Sequence, residues 1–182
     1  MERGDTLALV KRHIAKDGNL KHMIAVGAIM KELAMRLGED EVIWEMVGIL
    51  HDIDFEKCSG LEDHTLKAKE ILKGHVSDGI IEIIMAHNYE NTGVIPDTKI
   101  RKALIASDAV SGLIVASALV MPSRKLEEVR AESLMKKFKT KEFAKGCDRG
   151  KIAVCAEIGY RTEEFMPIAL EGMKKVAAEL GL

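Results

Sequence analysis

The stretch from Ala103 to Met121 is almost uninterrupted apolar sequence, and it restricts the possible folds more than any other feature of the chain. A segment of this length can cross a bilayer as a helix or lie at the centre of a helical bundle. Asp108 lies inside it, and a carboxylate in a membrane-spanning helix costs up to about 3 kcal/mol. Serines interrupt it further, at Ser107, Ser111 and Ser117. We therefore expect a helix buried in a protein core, and no association with a membrane.

Apolar residues recur with helical spacing through nearly the whole chain. One such stripe comprises Met23, Val26, Gly27, Met30, Leu33, Ala34 and Leu37. Aromatic residues make up 4% of the sequence and there are 3 prolines, so residues that favour strands or break helices are scarce. The sequence therefore predicts an all-α fold.

Local signals set the expected helix boundaries. The predicted helices span 5–15, 19–37, 40–52, 64–72, 78–87, 97–121, 126–138, 141–145, 150–158 and 162–180. Asn19 and Asp40 are predicted N-caps of the second and third helices, and Gly38 is predicted to end the second. Pro167 predicts that the last helix either kinks or begins after Thr162.

The length and charge of the chain limit the class of protein. A chain of 182 residues suits one domain, which we expect to comprise a core over about 19–121 and a helical extension over about 123–182. The net charge of −2 argues against a general nucleic-acid-binding surface. The three cysteines form no CxxC pair, which favours a cytoplasmic location. The apolar helix and the methionine-rich stripes would allow a homo-oligomer.

Several polar residues interrupt apolar faces where burial is expected. His51 and Asp52 close the apolar run 46–50, Asp108 interrupts the run from Ala103, and His22 and His87 adjoin other apolar segments. Buried carboxylates require a cation or neutralisation, and a divalent metal held by ligands from separate helices would supply one. Taken singly, each residue also has an ordinary explanation. A histidine at a helix end is commonly half-exposed, and Asp108 could pair with Arg101, Lys102 or a backbone amide.

The order His22, His51–Asp52 and Asp108 resembles the H…HD…D signature of the HD superfamily of metal-dependent phosphohydrolases. The surrounding segments LKHMIAVGAIMKELA, VGILHDIDFE and LIASDAVSGLI are similar as well. The resemblance covers about residues 19–121. It implies an HD-domain helical bundle in which His22, His51, Asp52 and Asp108 bind a metal. It also implies hydrolysis of a phosphate ester or anhydride in a nucleotide or another small phosphorylated metabolite.

Two more histidines resemble those of the binuclear branch of this superfamily. His64, in EDHTLKAKEIL, and His87, in IIMAHNYENTG, occupy the places of ligands to a second metal. The resemblance thus implies two divalent transition-metal ions (Fe, Mn, Zn, Ni or Co), with Asp52 as the catalytic residue that bridges them. Ile53–Asp54 follows the HD pair in place of Gly–Lys, and no GYP tripeptide occurs, so cyclic-dinucleotide hydrolysis is not expected.

Phosphate recognition requires cations near the metal. Lys21 beside His22, Lys57 after the HD pair and Arg149 in KGCDRGK are the predicted substrate-binding cations, and Asn88 is predicted to line the pocket beside His87. Asp54 has two interpretations. It could orient water or protonate a leaving group, or it could be a solvated loop acid.

Two other functions are compatible with the sequence. Some binuclear HD proteins are diiron oxygenases, which iron content and oxygen-dependent turnover would identify. A non-catalytic helical binding module would keep the metal ligands only for stability.

Overall fold

The computed structural model describes residues 1–182, which form α-helices, short 3-10 turns and no β-strand. The helices are α1 (Arg3–Val10), α2 (Asp17–Leu37), α3 (Glu41–Leu50), α4 (Leu66–Leu72), α5 (Asp78–Met85), α6 (Tyr89–Thr92), α7 (Lys99–Leu119), α8 (Ala131–Lys139), α9 (Arg149–Ala153), α10 (Thr162–Lys175) and α11 (Ala177–Leu180). The prediction of an all-α fold is confirmed.

Helices α2 and α7, each 21 residues long, lie at the centre of the molecule. α2 packs against α3, α7 and α10, and the side chains between them belong to one continuous hydrophobic core. By length and composition alone α7 could cross a membrane, but 61% of its most apolar 18-residue stretch is buried among the other helices. It is therefore the core helix that the apolar run predicts.

Two of the three residues that were predicted to begin or end helices do so. Gly38 ends α2 with a φ of 69°, a left-handed conformation that glycine adopts without strain, and Asp40 caps α3 by accepting a hydrogen bond from Ile43 N at 2.9 Å. The prediction for Asn19 is wrong, because α2 already begins at Asp17. The side chain of Asn19 instead donates to Glu56, whose carboxylate also accepts from the amides of Ala15 and Lys16.

Two glycines allow α2 and α3 to come unusually close. A Cβ atom at Gly48 would lie 2.7 Å from Gly27 Cα, and one at Gly27 would lie 2.6 Å from the side chain of Ile49. Since backbone atoms cannot move aside as a flexible side chain can, Gly48 fixes the distance between these two helices. Both helices carry residues of the site described below.

The C-terminal extension, residues 123–182, packs on α2 and α7. Residues 141–145 form turns, so the helix predicted there is wrong. α10 begins at Thr162 and contains Pro167, so the later start, one of the two alternatives expected from this proline, is wrong. Glu32 of α2 is 2% exposed and accepts from Lys175 of α10 and Arg36. The carboxylate is buried while the Lys175 side chain is 54% exposed, and this contact attaches the extension to the core, where an unpaired carboxylate would be costly.

Candidate metal centre

Six side chains that are far apart in the sequence converge at one point of the helical bundle. They are His22 on α2, His51 and Asp52 at the end of α3, His64 before α4, His87 in the 3-10 turn after α5, and Asp108 in the middle of α7. The Nε2 atoms of His22 and His51 lie 3.2 Å apart, and those of His64 and His87 lie 3.0 Å apart. The structure therefore brings all six predicted metal ligands together.

Asp52 lies at the centre of this cluster. Its Oδ1 lies 3.3 Å from Nε2 of His51, 3.3 Å from Nε2 of His64 and 3.4 Å from Nε2 of His87. Its Oδ2 faces Nε2 of His22 at 3.6 Å. Asp108 closes the other side, with its Oδ1 at 3.1 Å from Nε2 of His22. Asp52 is thus the only one of the six residues that faces all four imidazoles.

The other ring nitrogen of each histidine is held by a hydrogen-bond acceptor. Nδ1 of His51 donates to Gly48 O at 2.8 Å, and Nδ1 of His87 donates to Ile84 O at 2.5 Å. Nδ1 of His22 lies 3.2 Å from Oγ of Ser111. That hydroxyl already donates its proton to Asp108 O, so it must accept from His22. In the neutral imidazoles, these contacts direct the free lone pair of each Nε2 into the cluster.

Asp54 holds the fourth imidazole and is fully buried, so its interpretation as a solvated loop acid is wrong. Its Oδ1 accepts from Nδ1 of His64 at 2.9 Å, and its Oδ2 accepts from the amides of Thr65 and Ala68. Thr65 has a φ of 67°, a left-handed conformation that separates His64 from α4. The loop thus bends around the Asp54 carboxylate, and α4 begins at Leu66 rather than at His64.

The charges in the cluster shift its titration strongly. Burial lowers the pKa of His51, but the charges of Asp52 and Asp108 and the hydrogen bond to Asp108 outweigh burial and raise it to about 9. Burial likewise opposes the effect of Asp52 and Asp54 on His64, whose pKa rises to about 10. Burial alone would raise the pKa of Asp52, yet the surrounding imidazoles hold it well below its usual range. The cluster therefore attracts positive charge, as protons or as metal ions.

The donor set fits a transition-metal centre. Four imidazoles whose Nε2 atoms face one another would repel unless a proton or a cation lay between them, and acceptors at Nδ1 are typical of metal-binding histidines. Histidine and carboxylate ligands suit Mn, Fe, Co, Ni and Zn. His22, His51 and Asp108 form one possible ligand group, and His51, Asp52 and His87 form another.

Cys58 is a weaker candidate beside this centre. It forms a third group with Asp54 and His64, but its thiol donates to the backbone oxygen of Asp54 at 3.2 Å. Burial and the charge of Asp54 raise the pKa of the thiol to about 12. A protonated thiol is a poor metal ligand, so Cys58 does not belong to the set of ligands proposed for the centre.

The cluster opens into a cavity of about 390 Å³, which only some of the predicted substrate-binding residues reach. Asn88 lines the cavity, with its amide nitrogen bound to the backbone oxygens of Leu61 and His64.

Lys21 pairs with Asp17 and lines a separate, largely apolar groove on the other side of His22. Lys57 contacts Nδ1 of His13 at 2.5 Å and does not line the cavity. The structure thus brings Asn88 to the centre, but neither Lys21 nor Lys57.

Arg149 also lies outside the cavity, because its guanidinium is used elsewhere. It donates to the backbone oxygens of Ala144 and Cys147, both at 2.7 Å, and so holds the turns that precede α9. Lys151, two residues later, does line the cavity, as do Asn19 and Phe55. Lys151 is not among the predicted substrate-binding residues, although it lies in the segment KGCDRGK that contains Arg149.

Comparison with known proteins agrees with this geometry. A family model described as HD domain matches residues 19–113, which is more than half of the chain. All six clustered residues lie within that range. No solved structure matches the chain.

One curated relative was found over a similar region. Ribonuclease Y of Thermoanaerobacter pseudethanolicus is 35% identical over 94 residues, which are 50% of this chain and 18% of that protein. The match thus covers less than a fifth of this relative's length.

Proposed function

The chain belongs to the HD domain family, and from this premise we propose that it is a metal-dependent phosphohydrolase acting on a small phosphorylated metabolite, with nucleotides among the candidates. The resemblance stated from the sequence is confirmed at the level of the family. The observation that carries the proposal is the convergence of four imidazole Nε2 atoms around Asp52, beside Asp108 and at the wall of an open cavity.

We propose that the residues divide the work of the site as follows. Bound divalent ions would supply Lewis-acid chemistry, which makes water more acidic and neutralises charge on the reacting phosphoryl group. His22, His51 and Asp108 would hold one ion and His64 and His87 the other, with Asp52 facing both sets. Asp54 and Ser111 would orient imidazoles through Nδ1, as outer ligands commonly do in metal sites.

The dimensions of the cavity favour a small substrate. A volume of about 390 Å³ lies in the range of pockets that hold small molecules. His22, Asp52 and Asp108 line it, and all three are partly exposed, so a phosphate ester could reach the ligand cluster from solvent.

The proposal is tested by hydrolysis assays on metal-depleted protein reloaded with Mn²⁺, Fe²⁺, Zn²⁺, Ni²⁺ or Co²⁺. The substrates are nucleotides, sugar phosphates and p-nitrophenyl phosphate. We expect phosphate release with at least one metal, and its loss in Asp52→Asn and Asp108→Asn. Asp63→Asn is the matched control, since this carboxylate lies in the loop before α4, pairs with Lys67 of α4 and accepts from the amides of Ser59 and Gly60, so none of its partners belongs to the cluster.

Other results of this assay would favour the alternative functions. Bound iron with oxygen-dependent turnover and no phosphate release would indicate a diiron oxygenase. Metal binding that stabilises the fold, with no turnover in any assay, would indicate a non-catalytic module.

Hydrolysis of RNA is a second candidate, favoured by the 35% identity to part of a protein named Ribonuclease Y. The net charge of −2 argues against broad binding of nucleic acid, so we rank this candidate below a small substrate. A short single-stranded RNA oligonucleotide in the same assay distinguishes the two. Cleavage within the oligonucleotide, without release of phosphate from mononucleotides, would reverse this ranking.

A further inference from the structure

Lys151 is the only lysine or arginine among the residues that line the metal cavity. The same lining contains three carboxylates, those of Asp52, Asp108 and Glu90. A phosphate that enters such a cavity needs positive charge beyond the ligand cluster, because acidic walls repel it. The position of Lys151 therefore bears on how a phosphate would be bound as well as on how the chain folds.

The ammonium group of Lys151 is held only loosely. Its Nζ lies 3.3 Å from Oε2 of Glu90 and 5.9 Å from the centre of the Tyr89 ring. The Glu90 side chain is 58% exposed, and exposed ion pairs of this kind contribute little to stability. An ammonium in this position can exchange its partner for a more highly charged phosphate group.

The backbone that carries Lys151 is, in contrast, fixed. Asp148 caps α9 by accepting from the amides of Gly150 and Lys151 at 2.8 and 3.1 Å. Arg149 binds the backbone oxygens of the preceding turns, and α9 packs against α7, which carries Asp108. The extension thus holds one lysine in place at the cavity wall while its ammonium group can change partners.

We propose that Lys151 binds the phosphate group of the substrate, and that Glu90 holds its ammonium group when no substrate is bound. This inference rests on the proposed phosphohydrolase function. It assigns a substrate-binding role to the C-terminal extension, which lies outside the residues that match the family model. The ligand class is a phosphate monoester or a nucleotide, whose phosphate carries enough charge to displace the carboxylate of Glu90.

The first test compares Lys151→Gln with Lys151→Arg and Lys102→Gln in metal-loaded protein. Lys102 is a matched control, since its Nζ pairs with Glu157 at 2.9 Å and its side chain is 23% exposed against 28% for Lys151, yet it does not line the cavity. We expect Lys151→Gln to raise KM for p-nitrophenyl phosphate by about 10-fold or more while kcat changes less. Lys151→Arg should restore much of the loss, and Lys102→Gln should have no effect.

The second test uses binding of inorganic phosphate, measured by calorimetry, so that it does not depend on turnover. Lys151→Gln should weaken phosphate binding about 10-fold at unchanged metal content, whereas Glu90→Gln should strengthen it by freeing the ammonium group. In the double variant the gain from Glu90→Gln should largely disappear. A structural ion pair would give losses of the same sign in both single variants, and that result would overturn the proposal.

Failure of this inference can be distinguished from failure of the proposed function. A wild type that hydrolyses phosphate esters, with KM and phosphate binding unchanged in Lys151→Gln, would overturn the role of Lys151 alone. A wild type that binds metal but hydrolyses no phosphate ester would overturn the proposed function, and the phosphate titrations would still support or refute the role of Lys151.

Discussion

The carboxylate of Asp54 and Nδ1 of His64 form a hydrogen bond of 2.9 Å between two buried side chains. This contact directs Nε2 of His64 toward Asp52 and His87. The sequence leaves two interpretations of Asp54, a group acting on water or a leaving group and a solvated loop acid, and the structure instead makes it the residue that orients one imidazole of the candidate metal centre.

Asp54→Asn should weaken metal binding selectively. An amide side chain accepts through its oxygen alone, so either His64 or the amides of Thr65 and Ala68 would face a donor. The imidazole or the loop that carries it would then have to shift. We expect affinity for the ion at His64 and His87 to fall about 10- to 100-fold, as for other losses of an outer ligand. Metal titration by calorimetry measures this, with Asp63→Asn as the control in the same loop. Equal affinities in the two variants would show that Asp54 does not orient the ligand.

The number of bound ions should depend on His64 and His87. Elemental analysis of the wild type, purified without added metal or chelator, is expected to give about two transition-metal ions per chain. His64→Ala and His87→Ala should each reduce this toward one, because each removes a ligand from the same side of Asp52. His75→Ala, which changes an exposed histidine outside the cluster, should leave the count unchanged. About one ion in all four proteins would contradict a binuclear centre.

The stability of the metal-depleted protein should fall as the pH rises above neutrality. His51 and His64 have folded-state pKa values of about 9 and about 10, above the 6.5 of an unfolded histidine. A raised pKa contributes stability fully below pH 6.5, and that stability is lost as the pH rises through 9 to 10. At about 1.4 kcal/mol for each pKa unit, the two raised pKa values together correspond to a loss of several kcal/mol in unfolding free energy. Denaturant titrations at several pH values would measure it.

The metal-loaded protein serves as the control for this pH dependence. Bound ions replace the protons on the imidazoles, so its stability should change much less over the same range. A parallel decline in both forms would assign the pH effect to groups outside the cluster.

Gly48→Ala should both destabilise the fold and disturb the metal centre. The added Cβ would lie 2.7 Å from Gly27 Cα, so α3 would have to move away from α2 at a cost of about 2 to 3 kcal/mol. Because Gly48 O accepts from His51, the movement should also weaken metal binding. Thermal unfolding and metal titration test both effects. Gly4→Ala, on α1 with no atom within 4 Å of the added Cβ, should instead raise stability by up to about 1 kcal/mol.

The sequence predicts those features that depend on local periodicity or on a motif. The stripe of α2, the cap at Asp40 and the end at Gly38 each depend on residues within a few positions of one another. The six clustered residues are predictable from the sequence because each interrupts an apolar face or fits a position of the HD signature. Their convergence required only that the helices pack with those faces inward.

The features that the sequence does not predict depend on contacts between distant residues. The burial of Asp54 follows from amides 11 and 14 residues later, in a loop bent at Thr65. The proposed role of Lys151 rests on its contact with Glu90, 61 residues earlier, and on the packing of the extension against α7. Charge alone does not distinguish Arg149 from Lys151. Only the hydrogen bonds of Arg149 to backbone oxygens show that its guanidinium is used outside the cavity.

The packing of α9 against α7 places Lys151 on the same cavity as ligands that come from the core. On the proposed role of Lys151, changes in the extension would alter which phosphorylated compound is bound while the six clustered residues stay the same. Proteins that share the six clustered residues but differ after residue 121 would then be expected to differ in substrate range rather than in reaction. Exchanging this segment between such homologues offers a route to redirecting specificity.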